Sequence, residues 1–327
     1  MASNDRPLRL SRTVILAKIE VTEGTDPIPT GASDAIQIVE GTLSPAGQIR
    51  DRKPLSTSMA PKDPVQGTLY WELTLVVEAK TNGNADAGNV ANKVEFDVLH
   101  RICGLSPSYE AGTRIRYRPV SDPASHETAT IYVYYDGVLH KLRACRGSVE
   151  YNTAAGNFGT YSYTIQGLWT KPEDAAIPST PNIYQTSPPV LQSACMDLGS
   201  PSVFNPIIES FNVNMNNSIG TRMDPCSSYA VKGFLLGDRD TQGTYNPEAT
   251  LLSDHDWWAD YTLKTQRKLR IQNGTTTGQI VEVAVPKSVI REMPYGEREI
   301  MRTFEISYAA VGGTTNNGDD EVEFIYR

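Results

Sequence analysis

Histidine and cysteine are the side chains in this sequence best able to act as nucleophile, general base or soft-metal ligand. There are four of each: His100, His126, His140 and His255, with Cys103, Cys145, Cys195 and Cys226. His100 and Cys103 stand three residues apart, which on a helix puts thiol and imidazole on one face. The blander reading fits better: an inward helix face packs Cys103 in the core and leaves His100 near its edge. His140 falls on an apolar strand face. No CxxC pair occurs and no His stands at ligand spacing from a Cys, so the cysteines read as reduced thiols, with neither a zinc site nor a disulfide framework.

Carboxylates cluster at Asp254/Asp256 and at Asp319, Asp320, Glu321 and Glu323. Neither cluster has the alternating ligands, central Gly and distal Glu of a calcium loop, and neither suggests a glycosidase pair. The first reads as charge at a helix N-terminus, the second as a solvated face. Gly312-Gly313 and Gly156/Gly159 lack the helix and Lys that a phosphate loop needs. The residues point to no catalytic centre, no cofactor and no metal.

The elements that would position a site are mostly strands. In Tyr70–Ala79, Trp71, Leu73, Leu75, Val77 and Ala79 share one face while Glu72, Thr74 and Glu78 take the other, the period-two pattern of a half-buried strand. In TIYVYYDGVLHKL, Asp136-Gly137 supplies a primed turn and sets a register: Tyr135 faces Val138, Val133 faces His140, Ile131 faces Leu142. Further strands are expected at 13–21, 148–152, 161–169, 209–216, 229–236, 280–285, 303–311 and 321–326. Two helices are expected. One has Asn92 as N-cap, Glu95 at the capping-box position and its stop at Gly104; the other runs from Ser253 to about Lys264.

A chain of 327 residues is long enough for two cores. The Pro-rich text between Pro172 and Pro189 divides it nearly in half, because proline cannot donate to a ladder. The halves repeat in order: IRDRKP with TRMDP, YWELTLVVEA with YAVKGFLLGD, a helix in each, GSVEYN with GQIVEVA, and TYSYTIQG with TFEISYAA. This order implies an internal duplication. The expected architecture is mainly β: two tandem β-sandwich or partial-barrel domains, 1–170 and 191–327, each with one flanking α-helix, joined by a linker at 171–190.

A net charge of −8 argues against a surface built to grip nucleic acid, which needs a dense Lys/Arg footprint. No stretch approaches the roughly 18 apolar residues of a membrane span, and Val14–Ala17 is too short for a signal-peptide core, so cytoplasmic synthesis is expected. One segment stands out, Gly47 to Gln66, about twenty residues without apolar periodicity. It carries Arg50, Asp51, Arg52, Lys53 and Lys62 in an otherwise acidic chain. That composition suits docking onto the acidic surface of a neighbouring copy and suits a surface loop equally.

The text ILAKIEVTEGTDPIPTGASDAIQI resembles the opening of tail tube proteins of long-tailed bacteriophages. The resemblance continues through LHRICGLS, YRPVSD, ATIYVYYDGVLHKLRACRGSVEYN and GLW, then PPVLQSA, ESFNVNMNN, GDRDTQGTYNPEA, GTTTGQIVEVAVPK and PYGERE. It departs at Tyr109–Arg118, where the family often has a smaller Gly-rich loop, and at Asp240, where Pro is common. The resemblance implies a β-sandwich tube domain with a flanking helix, rings stacked into a hollow tube, contact with other tail proteins at the tube ends, and a lumen through which DNA leaves without specific binding.

Strand edges left free in a monomer suit closure into a ring. Two domains per chain would give a trimeric ring with pseudo-sixfold symmetry, a lumen dominated by Asp and Glu, and inter-ring contact through the 47–66 segment. The competing readings are an adsorption or carbohydrate-binding module, which would expose aromatic platforms in loops, and an envelope hydrolase, which the residues above do not support.

Overall fold

The computed structural model describes residues 7–9, 11–55, 57, 60–84, 89–179, 181–192, 196–199, 203–313 and 318–327. Cys195 lies outside them. The first half supplies β1 (Thr13–Ile19), β2 (Ala35–Ile36), β3 (Glu40–Arg52), β4 (Lys62–Glu78), α1 (Asp97–Ile102), β5 (Leu105–Glu110), β6 (Arg114–Pro119), β7 (Ala129–Tyr135), β8 (Val138–Ala154), β9 (Thr160–Leu168) and β10 (Glu173–Asp174). The second supplies β11 (Asp197–Gly199), β12 (Ile208–Asn214), β13 (Asn217–Met223), β14 (Val231–Arg239), β15 (Gln242–Pro247), α2 (Trp257–Leu263), β16 (Arg267–Asn273), β17 (Val281–Glu292), β18 (Tyr295–Arg298), β19 (Met301–Phe304), β20 (Ile306–Ala310) and β21 (Glu323–Tyr326). The protein is mainly β with two short helices, of β-sandwich type.

The Asp136-Gly137 hairpin has the expected register, Ile131 opposite Leu142, Val133 opposite His140 and Tyr135 opposite Val138. Both residues take positive φ, 43° and 113°, the conformation a primed turn requires. Trp71, Leu73, Leu75, Val77 and Ala79 are all buried on one face of β4.

The first helix starts later than expected. Residues Val90–Asn92 form a 3-10 turn capped by Asn89, whose side chain accepts from the Ala91 amide, and α1 begins only at Asp97. Glu95 caps nothing. Its carboxylate is buried beside Lys80, 3.6 Å away, and accepts from the Tyr184 amide at 3.2 Å; burial raises its pKa although Lys80 opposes the shift. The second helix begins at Trp257, not at Ser253, with Asp256 as N-cap accepting from the Ala259 amide at 2.9 Å.

The 47–66 segment is a correction of a larger kind. It is the outer part of the β3–β4 hairpin, paired from Ile49–Gln66 out to Arg52–Lys62. Both faces of this ribbon are exposed, so its pairing rests on the backbone ladder and leaves no apolar alternation to read. Gly47 makes the bulge at its base with φ 137°; a Cβ there would lie 2.1 Å from the Thr68 carbonyl oxygen.

Strand pairing follows one order twice. The first half reads β1, β7, β8, β9, β4, β3, with β10 on the start of β8. The second reads β11, β16, β17, β20, β15, β12, with β21 on the start of β17. α1 follows β4 and α2 follows β15. Bulges recur at matching points: Gly47/Ile49 answers Asn217/Ile219, and Ala129/Ile131 answers Arg267/Leu269.

On this correspondence β12 and β13 together match β3, and β14 and β15 together match β4. The counterpart of Tyr70–Ala79 is therefore Asp240–Ala249. Matching it to Tyr229–Asp238 put the arm of one half against the sheet of the other. Likewise the GSVEYN segment answers residues 290–296, across the bulge at Arg291, and not GQIVEVA. Two pairings tie the halves together, β12 on β8 and β21 on β6, and one hydrophobic cluster runs through both, from Ile15 and Leu73 to Tyr308 and Tyr326.

Candidate functional site

One face of the sheet crosses both halves. Following partners sideways, Glu78, Thr160, Asn152, Asn212, Thr244, Ser307 and Glu292 form one row. One residue along each strand, the row Val77, Tyr161, Tyr151, Val213, Gly243, Tyr308 and Ile290 points the other way and is buried in the core. Alternation puts every second side chain on each face, so the outward rows are mostly hydroxyls, amides and carboxylates, with Val76, Ala309 and Val289 toward the ends of one row and Arg146 in another. Asn212 donates to Asn152 Oδ1 at 2.6 Å and to Glu150, and Asn214 donates to Glu150 at 3.2 Å. These amide bonds hold the two halves in register where β8 meets β12.

The second surface is the arm. Arg50, Asp51, Arg52, Lys53 and Lys62 all lie exposed on it or at its tip, and none forms an ion pair with a described residue. Arg50 donates to Gln48 Oε1 at 2.5 Å, and Arg52 stands opposite Lys62. Ile49 and Val65 are exposed there too. The corresponding β13–β14 arm is not free: it lies against β4, β8 and β9, with Phe234 edge-on to Tyr70 at 5.6 Å.

The residues capable of chemistry are spent on structure. His100 is fully buried, not at the core's edge, with Nε2 2.8 Å from Tyr326 Oη and Nδ1 3.0 Å from Tyr163 Oη. Tyr326 donates onward to Tyr161, which fits a neutral imidazole with its proton on Nε2. Burial lowers the pKa of His100 to about 3 and raises the thiol of Cys103. Cys145 is buried and Cys226 exposed, and Cys103, Cys145 and Cys226 are all free thiols. His126 Nε2 meets the Val120 carbonyl at 2.8 Å. His140 packs edge-on to Trp71 and Tyr135.

His255 stacks on Phe204 and sits 2.9 Å from Asp260, which Arg267 also binds through two nitrogens. The acidic cluster at 319–323 is a set of partners, not a solvated face: Asp319 and Glu321 bind Arg239, and Glu323 binds Arg118. Among the described residues no group of three His, Cys, Asp or Glu is arranged to hold a metal ion, and no helix is long and apolar enough to cross a membrane.

A family model described as phage tail tube protein matches residues 11–324, nearly the whole chain. The chain belongs to that family. No curated protein matches it. Membership makes it a structural component of the virion tail, one that assembles with copies of itself into a tube and meets other tail proteins. Sequence reasoning singled out the arm through its length and charge. It did not single out the sheet face, which is written in the hydroxyl and amide alternation of TYSYTIQG and ESFNVNMNN.

Proposed function

We propose that this tail tube protein forms stacked rings whose bore is lined by the polar sheet face, and that the bore conducts the genome out of the capsid. The observation that carries the reading is the row structure that continues across both halves: one face is core, the other is mostly polar and carries Glu72, Glu78, Glu150 and Glu292. A wall of hydroxyls and amides with scattered carboxylates repels phosphate weakly and offers it few cations, Arg291 being tied to Asp240 and Gln242, so DNA passes without adhering. The carboxylates are fewer than the neutral groups, which softens the expectation of an Asp- and Glu-dominated lumen.

The repeated strand order supports two tandem tube domains per chain, and three chains then complete a pseudo-sixfold ring. The basic arm tip, with Arg50, Arg52, Lys53 and Lys62, is assigned to contact between rings. Cryo-electron microscopy of purified tubes tests the whole reading. Three chains per ring with Asn152, Asn212 and Thr244 on the bore are expected; six chains per ring, or an electropositive inner wall, would defeat it. Replacing residues 50–65 by a short turn leaves circular dichroism unchanged and abolishes long tubes. If the shortened protein still polymerises, the arm has no assembly role.

A further inference from the structure

Inside the chain the second half joins the first at one seam. β12 lies antiparallel on β8, with Ser210 opposite Ala154, Asn212 opposite Asn152 and Val213 opposite Tyr151. Each side of that seam has a counterpart in the other half. β3 is the counterpart of β12, and among the described residues it pairs with one strand only, β4, while the Tyr135 hydroxyl meets the Leu43 backbone. The counterpart of the seam segment of β8 is β18. Tyr151 pairs with Tyr161 of β9 as Tyr295 pairs with Phe304 of β19, and the bridge between Glu248 and Thr303 carries the β15 register up to that point. β18 too pairs with one strand only.

We propose that β3 of one copy adds to the free edge of β18 of a second copy of this chain, in the register of the internal seam. Glu40 then stands opposite Arg298, Thr42 opposite Gly296 and Leu43 opposite Tyr295. The inference rests on the ring reading above and names the strands that close the ring.

Three observations favour this register. Tyr295, 54% exposed, is covered by Leu43 at the position where Tyr151 and Val213 bury each other. Glu40 adds a third carboxylate beside Arg298, which binds Glu209 at 2.9 Å and Glu248 at 3.7 Å within its own chain, and cross-strand pairs of opposite charge are favourable. Pro294, which has no N–H, turns its carbonyl to the Glu305 amide at 2.9 Å, away from the seam, so its missing donor interrupts nothing. Beside β3 an open groove of about 460 Å³, lined by Ser11, Thr13 and residues 38–42, leaves room for the incoming strand. The arm that carries Ile49 and Val65 would then cross the second copy as β13–β14 crosses the first half of its own chain.

Cysteine pairing tests it. Antiparallel partners that exchange hydrogen bonds lie about 5.5 Å apart at Cα, within disulfide reach. In a Cys195→Ser, Cys226→Ser background, Leu43→Cys combined with Tyr295→Cys is oxidised in assembled tubes and run on a denaturing gel. Chains linked end to end, with a ladder stopping at three, are expected, and neither single variant links. Glu40→Cys with Arg298→Cys reads the same seam if the first pair disturbs folding. Intact tubes in which both pairs stay as free thiols overturn the seam and leave the tube reading standing. If the wild-type protein never forms rings or tubes, the tube reading itself falls and takes the seam with it.

Discussion

At His100, burial has removed the chemistry that a Cys/His spacing suggested and replaced it with a pH dependence. The unfolded chain takes up a proton near the ordinary imidazole value of 6.5, while the folded chain holds His100 neutral until about 3. Below 6.5 the unfolded state therefore binds more protons, and stability falls as pH drops through that window, by up to about 1.4 kcal/mol per pH unit. Urea denaturation at a series of pH values checks this; His100→Gln removes that component of the slope. Asp260 works in the same sense, as an acid. Burial alone would raise its carboxyl, but the bonds from His255 and Arg267 and the Arg267 charge overcome that and hold its pKa below the usual range. Its contribution is present above the unfolded carboxylate pKa and is lost as pH falls through the depressed folded value. Asp260→Asn leaves Arg267 with a buried, weakened partner and should cost about 3 kcal/mol, read from the denaturation midpoint.

At the scale of elements, capping and bulges decide where structure starts and stops. Asp256 accepts the Ala259 amide at the start of α2, so Asp256→Ala should cost about 1 kcal/mol; a change below a few tenths would show that Trp257 packing holds the helix start without the cap. Gly47 sits where no side chain fits and where the arm leaves the sheet. Gly47→Val is expected to unzip the ribbon beyond it while the body stays folded. Hydrogen exchange would show protection lost at Ile49–Arg52 and Lys62–Gln66 and kept in β8 and β9. The helices were legible from apolar spacing, but their first residues were not, because Glu95 went to a buried ion pair with Lys80. The arm was legible only as a length and a charge, since a ribbon wet on both faces writes no period into its sequence.

The molecule as a whole holds together through β12 on β8 and β21 on both β6 and β17. Phe324 and Tyr326 of the last strand are buried against residues of the first half. Heating or urea should therefore give a single cooperative transition, seen alike by tryptophan fluorescence and circular dichroism. Two separated transitions would mean that the halves unfold independently and that the cross-half strands contribute little.

The sequence by itself determined strands with clear alternation such as β4, β7 and β9, the hairpin register at Asp136-Gly137, the β-rich class and the family resemblance, because all of these are written in local alternation, turn chemistry and residue order. The tertiary structure decided the rest. It showed that Asn212 meets Asn152, that Glu150 lies between two asparagine amides, and that β21 completes the sheet of the other half. It also placed Asp240–Ala249, not Tyr229–Asp238, at the point of the second half's strand order where Tyr70–Ala79 stands in the first. Those are pairings between residues far apart in the chain, and a strand's own sequence says which of its faces is wet but not which strand will lie beside it.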